Sequence, residues 1–185
     1  RARGRTSTTG PPPPLAAAPR CAARFADASF VPNARGRHAA DLEDHRPLLA
    51  EDALAQRGEA VRAASRHPAR AGVPSVECDL LKGAKVERAL DGADVAYYLV
   101  HSMGRADFRD IDRRCARTLV DAAASTGCRR VIYLGGVAPK GRASPHLASR
   151  LEVGEIVRAG GVPAIELRAS MIVGNGSLSW RIVRD

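Results

Sequence analysis

No apolar run in this 185-residue chain approaches the roughly 20 residues that a bilayer-crossing helix requires, which excludes a helical membrane span. Aromatics are scarce at 4%, so within an apolar fraction of 45% Ala, Leu and Val must supply most of the packing. The four cysteines, Cys21, Cys78, Cys115 and Cys128, form neither a Cys-x-x-Cys pair nor a zinc-ligand spacing, and no metal site is expected. Cys78 falls in a strand pattern and Cys115 in a helix pattern, where a free thiol is usually a small buried apolar group. A reducing, cytoplasmic compartment fits this usage.

Lysine is nearly missing too. Of 29 basic residues only Lys82, Lys85 and Lys140 are lysines; the rest are arginines scattered among acids. The net charge is +9, yet residues 1–46 contribute +4 and residues 47–185 contribute +5, with no dense basic stripe interleaved with aromatics. Nucleic-acid binding is therefore not expected, because net charge alone speaks to solubility and non-specific attraction.

Residues 1–46 lack any period of 2 or 3.6. Pro11 to Pro14 form a polyproline run, and Phe25, Phe30, Val31 and Leu42 stand isolated. The expectation is an irregular or disordered segment. It is Arg-rich with no acid before Asp27, as in a transit peptide, but its prolines oppose an amphipathic helix.

From Pro47 onward the pattern is coherent, and residues 47–185 read as one domain. Leu48, Leu49, Ala53 and Leu54 share a helical face, and Gly58 is placed to end that helix. Strands are expected at 60–64, 75–78, 95–100, 131–134 and 164–167, and helices at 85–90, 107–125 and 147–159. A last helix begins near Ser179 and is cut off at Asp185. Strands alternating with helices are the signal of βαβ units and a parallel sheet. The expected fold class is α/β, a Rossmann-type doubly wound sheet whose ligand lies at the carboxyl ends of the strands.

Six segments carry a family resemblance: Val61-Arg-Ala-Ala-Ser-Arg66, Asp79-Leu80, Asp94-Val-Ala-Tyr-Tyr-Leu-Val-His-Ser102, Val131-Ile-Tyr-Leu-Gly-Gly136, Ser149-Arg-Leu-Glu-Val-Gly-Glu155 and Leu167-Arg-Ala-Ser-Met-Ile-Val-Gly174. In their order and spacing the chain resembles an atypical short-chain dehydrogenase/reductase of the extended or NmrA-like NAD(P)-binding kind. The resemblance implies a cofactor site built from Ser65, Arg66, Asp79, Leu80, His101, Ser102 and Arg150. Arg66 follows the second strand, where a guanidinium can pair bidentately with a 2′-phosphate and an acid would instead favour a free 2′-hydroxyl. NADP(H) is therefore expected over NAD(H). Asp79 would accept from the adenine amino group or cap the following turn; both are compatible. His101 and Ser102 end the fourth strand, where the ribose and pyrophosphate would pass.

Two departures stand out. Members of the family carry Tyr-x-x-x-Lys on a helix, one turn of spacing putting both groups on one face. Here the same helix reads His146-Leu-Ala-Ser-Arg150. Arg150 keeps a charge for a ribose or phosphate but cannot exchange protons near neutrality. His146 can, and it is the candidate catalytic group, although Pro145 before it suggests the first helical turn. The implied activity is hydride transfer between NADP(H) and a small organic substrate; the alternative is a non-catalytic NAD(P)-sensing or assembly module.

The second departure is the missing glycine-rich loop. A dinucleotide site normally opens with a strand, a Gly-x-x-Gly-x-x-Gly loop and a helix N-terminus that together receive the pyrophosphate. Residues 34–46 offer only Gly36, with Asp41, Glu43 and Asp44 nearby to repel phosphate. The first strand should be central, between those at 60–64 and 95–100, and its loss would orphan two rows of backbone groups. Either residues 1–46 replace the true start of a damaged fragment, or Ser29-Phe-Val31 supplies a makeshift strand and cofactor binding is weakened or lost.

Overall fold

The computed structural model describes residues 21–25, 54, 56–66, 74–102 and 106–170. Six parallel strands form one sheet in the order β3-β2-β1-β4-β5-β6. They are β1 (Cys21–Phe25), β2 (Ala60–Ser65), β3 (Ser75–Glu77), β4 (Val95–Tyr98), β5 (Arg130–Gly136) and β6 (Ala164–Ala169). Three helices are described: α1 (Val86–Leu90), α2 (Phe108–Ser125) and α3 (Pro145–Ala159). The α/β class, the parallel sheet and the positions of every element but β1 agree with the sequence reading.

The central strand differs from expectation. Its place is filled by Cys21–Phe25, inside the segment read as irregular, while Ser29–Val31 lies outside the described residues. Cys21 to Phe25 align with Ala60 to Ala64 on one side, and Ala22 to Phe25 with Val95 to Tyr98 on the other. Ala22, Ala23 and Phe25 are buried, and Leu99 N donates to Phe25 O at 2.9 Å. The reason it escaped notice is physical. A strand of a parallel sheet covered on both faces need not alternate polar and apolar residues, and five residues with two alanines and an arginine carry little apolar signal. The expected helix over 48–54 and the one beginning near Ser179 lie largely or wholly outside the described residues; Gly58, at φ 78, closes the turn as expected.

The core lies between the sheet and the three helices. Ala23, Phe25, Ala96, Tyr98, Val131 and Tyr133 from the strands meet Val86, Leu90, Ile111, Cys115, Ala116, Leu119, Val153 and Val157 from the helices. Apolar residues spaced three and four apart turn one stripe of α2 inward. Gly127, at φ 73, ends α2 in the left-handed region that glycine enters without penalty. Cys78, Cys115 and Cys128 are buried and take part in no disulfide, as expected for the first two. Among the described residues no helix is long and apolar enough to cross a membrane.

Candidate functional site

Because all strands run in parallel, the residues that follow them leave the sheet at one edge. Two groups of side chains gather there. The first surrounds a hollow of about 110 Å³ lined by Arg66, Glu77, Cys78, Asp79, Ala84 and Lys85. Ser65 stands opposite Glu77 in the β2–β3 register, and its carbonyl accepts from Cys78 N at 2.9 Å. Arg66, exposed, emerges directly beyond it. Asp79 caps the next turn through Oδ1, which accepts from Leu81 N at 2.9 Å and Lys82 N at 3.2 Å. The capping role is thus filled. Leu80 is 7% exposed and packs in the core. Burial, reinforced by Asp79 and Glu87, pushes the Cys78 thiol up to about 11; it stays protonated and is a poor nucleophile at neutral pH.

The second group centres on Asp112, which the sequence reading did not single out. This carboxylate is 3% exposed. Its Oδ1 accepts from Ser102 N at 2.8 Å and its Oδ2 from Ser149 Oγ at 2.9 Å. One side chain on α2 therefore ties the end of β4, with His101 and Ser102, to α3, with His146 and Arg150. Two hydrogen bonds to a buried charge are what make its burial tolerable. The available signal was an acid beside Ile111, four residues before the buried Ala116, on the helix face that otherwise carries apolar groups.

His146 sits in the first turn of α3, as Pro145 at the helix start implied. Ser144 caps that helix, its hydroxyl accepting from Leu147 N at 3.2 Å. The His146 ring lies edge-on to His101 with centroids 6.3 Å apart, and 6.4 Å from Phe108. Partial burial, then the charges of Arg150 and His101, lower its pKa from the usual 6.5, with Asp112 opposing. The imidazole is neutral at pH 7. His101 Nδ1 lies 3.5 Å from Leu99 O.

Arg150 turns back onto β5. Its Nη2 donates to Leu134 O, and its guanidinium lies 5.9 Å from the centroid of the Tyr133 ring. Tyr133 in turn donates its hydroxyl to Arg150 O at 3.1 Å. Burial pushes the Tyr133 phenol up to about 12 despite the cation beside it. The structure thus gathers His101, Ser102, His146 and Arg150 in one place, and Ser65, Arg66 and Asp79 in another along the same edge.

Residues 47–185 match the profile of a family described as NAD(P)H-binding. The chain belongs to that family. No curated protein matches it in sequence. Solved structures share its fold at low identity. A short-chain dehydrogenase/reductase superfamily protein from Agrobacterium tumefaciens with bound NAD superposes with a TM-score of 0.56 at 23% identity, over 79% of this chain and 48% of that one. For UDP-glucose 4-epimerase from Brucella ovis, in complex with NAD, the values are 0.60, 16%, 80% and 51%. For triphenylmethane reductase from Citrobacter they are 0.52, 18%, 61% and 40%. This NAD(P)H-binding chain spans about half the length of the first two structures it matches. The expected resemblance holds at the level of family and fold.

Proposed function

We propose that this chain is the cofactor domain of a short-chain dehydrogenase/reductase that transfers hydride between NADP(H) and a small organic substrate in the cytoplasm. The observation that carries it is the carboxyl edge of the sheet. Within an NAD(P)H-binding family, that edge sets a hollow with Arg66 and Asp79 beside β2 and β3, and a His/Arg cluster beside β4 and β5. The hollow suits an adenosine end, where Arg66 meets a 2′-phosphate and favours NADP(H) over NAD(H). Asp79 keeps Oδ2 for the adenine amino group while Oδ1 caps the turn.

When bound, the nicotinamide supplies or accepts the hydride. Arg150, pinned by Leu134 O and Tyr133, offers a fixed positive charge to a ribose or phosphate and cannot exchange its proton. His146 is the group that can. Neutral at pH 7, it is poised to take a proton from a substrate hydroxyl, and His101 and Ser102 line its approach. The stretch after β1, residues 26–35, contains no glycine, so pyrophosphate contacts are poorer than in a glycine-rich loop and the affinity is weak.

A melting curve with and without millimolar NADPH or NADH tests this. A ligand at about 100 times its dissociation constant adds roughly 2.7 kcal/mol. An upward shift with NADPH that exceeds the shift with NADH, and that Arg66→Ala removes selectively, supports the reading. His146→Ala should leave the shift intact while abolishing any reduction of NADP+ by alcohol substrates, the direction in which a neutral imidazole accepts the hydroxyl proton. No shift with either nucleotide sinks it.

A further inference from the structure

We propose that Glu77 and Lys85 form a charge latch across the hollow, with Lys85 as a second cation for a 2′-phosphate beside Arg66. This rests on the reading that the hollow takes the adenosine end of the cofactor.

Lys85 is held where it stands. The loop before it is closed by two backbone hydrogen bonds, Asp79 N to Ala84 O at 3.1 Å and Ala84 N to Asp79 O at 3.0 Å. Asp79 Oδ1 clamps the same loop from inside. Lys85 then adopts φ 60, the one non-glycine residue at positive φ among the described residues. For an L-residue that conformation is strained, because Cβ crowds the following carbonyl oxygen. A glycine would adopt it freely, so the lysine holds this conformation against a local penalty, as strained residues at ligand clamps do. The conformation sends Nζ to Glu77 Oε2 at 2.7 Å.

The latch is built to open. The two side chains are 51% and 62% exposed, and such ion pairs contribute little net stability. A phosphate carrying about −1.5 to −2 charge competes well for the same ammonium. Lys85 holds Glu77 ionised, its pKa lowered by their hydrogen bond and charge attraction. With Lys85 on Glu77, the hollow presents a carboxylate that accepts from a free ribose hydroxyl. With Lys85 swung to a phosphate, two cations face it and Glu77 repels it. Glu77 thus limits preference for the 2′-phosphate, and Lys85 supplies it.

The probes are adenosine 2′-monophosphate and adenosine 5′-monophosphate, titrated into the whole chain by calorimetry; neither needs the nicotinamide half of the site. Lys85→Gly removes the charge and relieves the backbone, so any loss of binding is not a folding defect. We expect Lys85→Gly to weaken the 2′-phosphate about tenfold, the worth of one charge-assisted contact, and to leave the 5′-phosphate unchanged. Lys85→Arg should restore most of it, and Glu77→Gln should tighten the 2′-phosphate severalfold. Equal effects on both nucleotides would overturn the latch while leaving the adenosine site standing. No binding of either to the unmodified chain would overturn both.

Discussion

Tyr98 and Tyr133 lie with ring centroids 5.7 Å apart beneath the His/Arg cluster, and only one has a use for its hydroxyl. Tyr133 donates to Arg150 O, whereas the Tyr98 hydroxyl finds no acceptor among the described residues although the side chain is fully buried. An unsatisfied buried hydroxyl costs about 1–3 kcal/mol. Tyr98→Phe should therefore raise stability near neutral pH by about 1 kcal/mol. Burial raises both phenols, Tyr133 to about 12 and Tyr98 well above its ordinary 10. Between pH 10 and 12 the unfolded chain loses phenolic protons that the folded one keeps. The stability these groups confer is complete below pH 10 and drains away as pH rises. Tyr98→Phe removes one of the two, so its alkaline loss should be shallower. Denaturant melts of both proteins at pH 8 and pH 11 check both statements; a destabilised Tyr98→Phe would mean that the hydroxyl has a partner after all.

At the scale of elements, α3 approaches the sheet through glycines. A Cβ on Gly154 of α3 or on Gly135 of β5 would stand 2.5 Å from Oε1 of Glu166. That carboxylate lies in the slot between them, its Oε2 bound by Arg158 and by Arg168 at 3.0 Å. Its side chain is 7% exposed, so it has little room to retreat. Gly154→Ala should overfill the slot and cost about 1–3 kcal/mol, even though alanine is the better helix former by roughly 1 kcal/mol. A chemical melt decides the sign. An unchanged or raised midpoint would show that Glu166 can swing out. The same interface shows what the sequence could and could not give. The helices and their glycine stops were legible because periodicity and left-handed turns are local. The place of His146 in the first turn followed from Pro145 before it, although the helix, expected from Leu147, begins at Pro145. Asp112 was not legible, because nothing in one chain says that an acid among apolar neighbours will meet Ser102 and Ser149 from two other elements. Nor was the Glu77–Lys85 pair, which depends on a left-handed backbone turn at Lys85.

Across the whole molecule, β1 joins two halves that otherwise do not pair. The sheet order puts β2 and β3 on one side of it and β4, β5 and β6 on the other. Yet β1 lies outside residues 47–185, the stretch that matches the NAD(P)H-binding family. Without it, the facing edges of β2 and β4 would lose every backbone partner they have in Cys21–Phe25, and the apolar side chains around Ala23 and Phe25 would line a gap. Buried backbone groups left without partners are costly, and that loss, summed along two strand edges, exceeds the few kcal/mol by which a domain of this size is stable. A chain comprising residues 47–185 should therefore retain some helix but melt without cooperativity, whereas the full chain should melt in a single transition. Within the full chain, Ala23→Pro should act like the deletion, since proline removes a ladder donor from a central strand and Ala23 is fully buried. Circular dichroism melts of the three proteins test this together. If residues 47–185 alone melt as sharply and at the same temperature as the full chain, the pairing of Cys21–Phe25 contributes nothing to the fold, and a different segment completes the sheet.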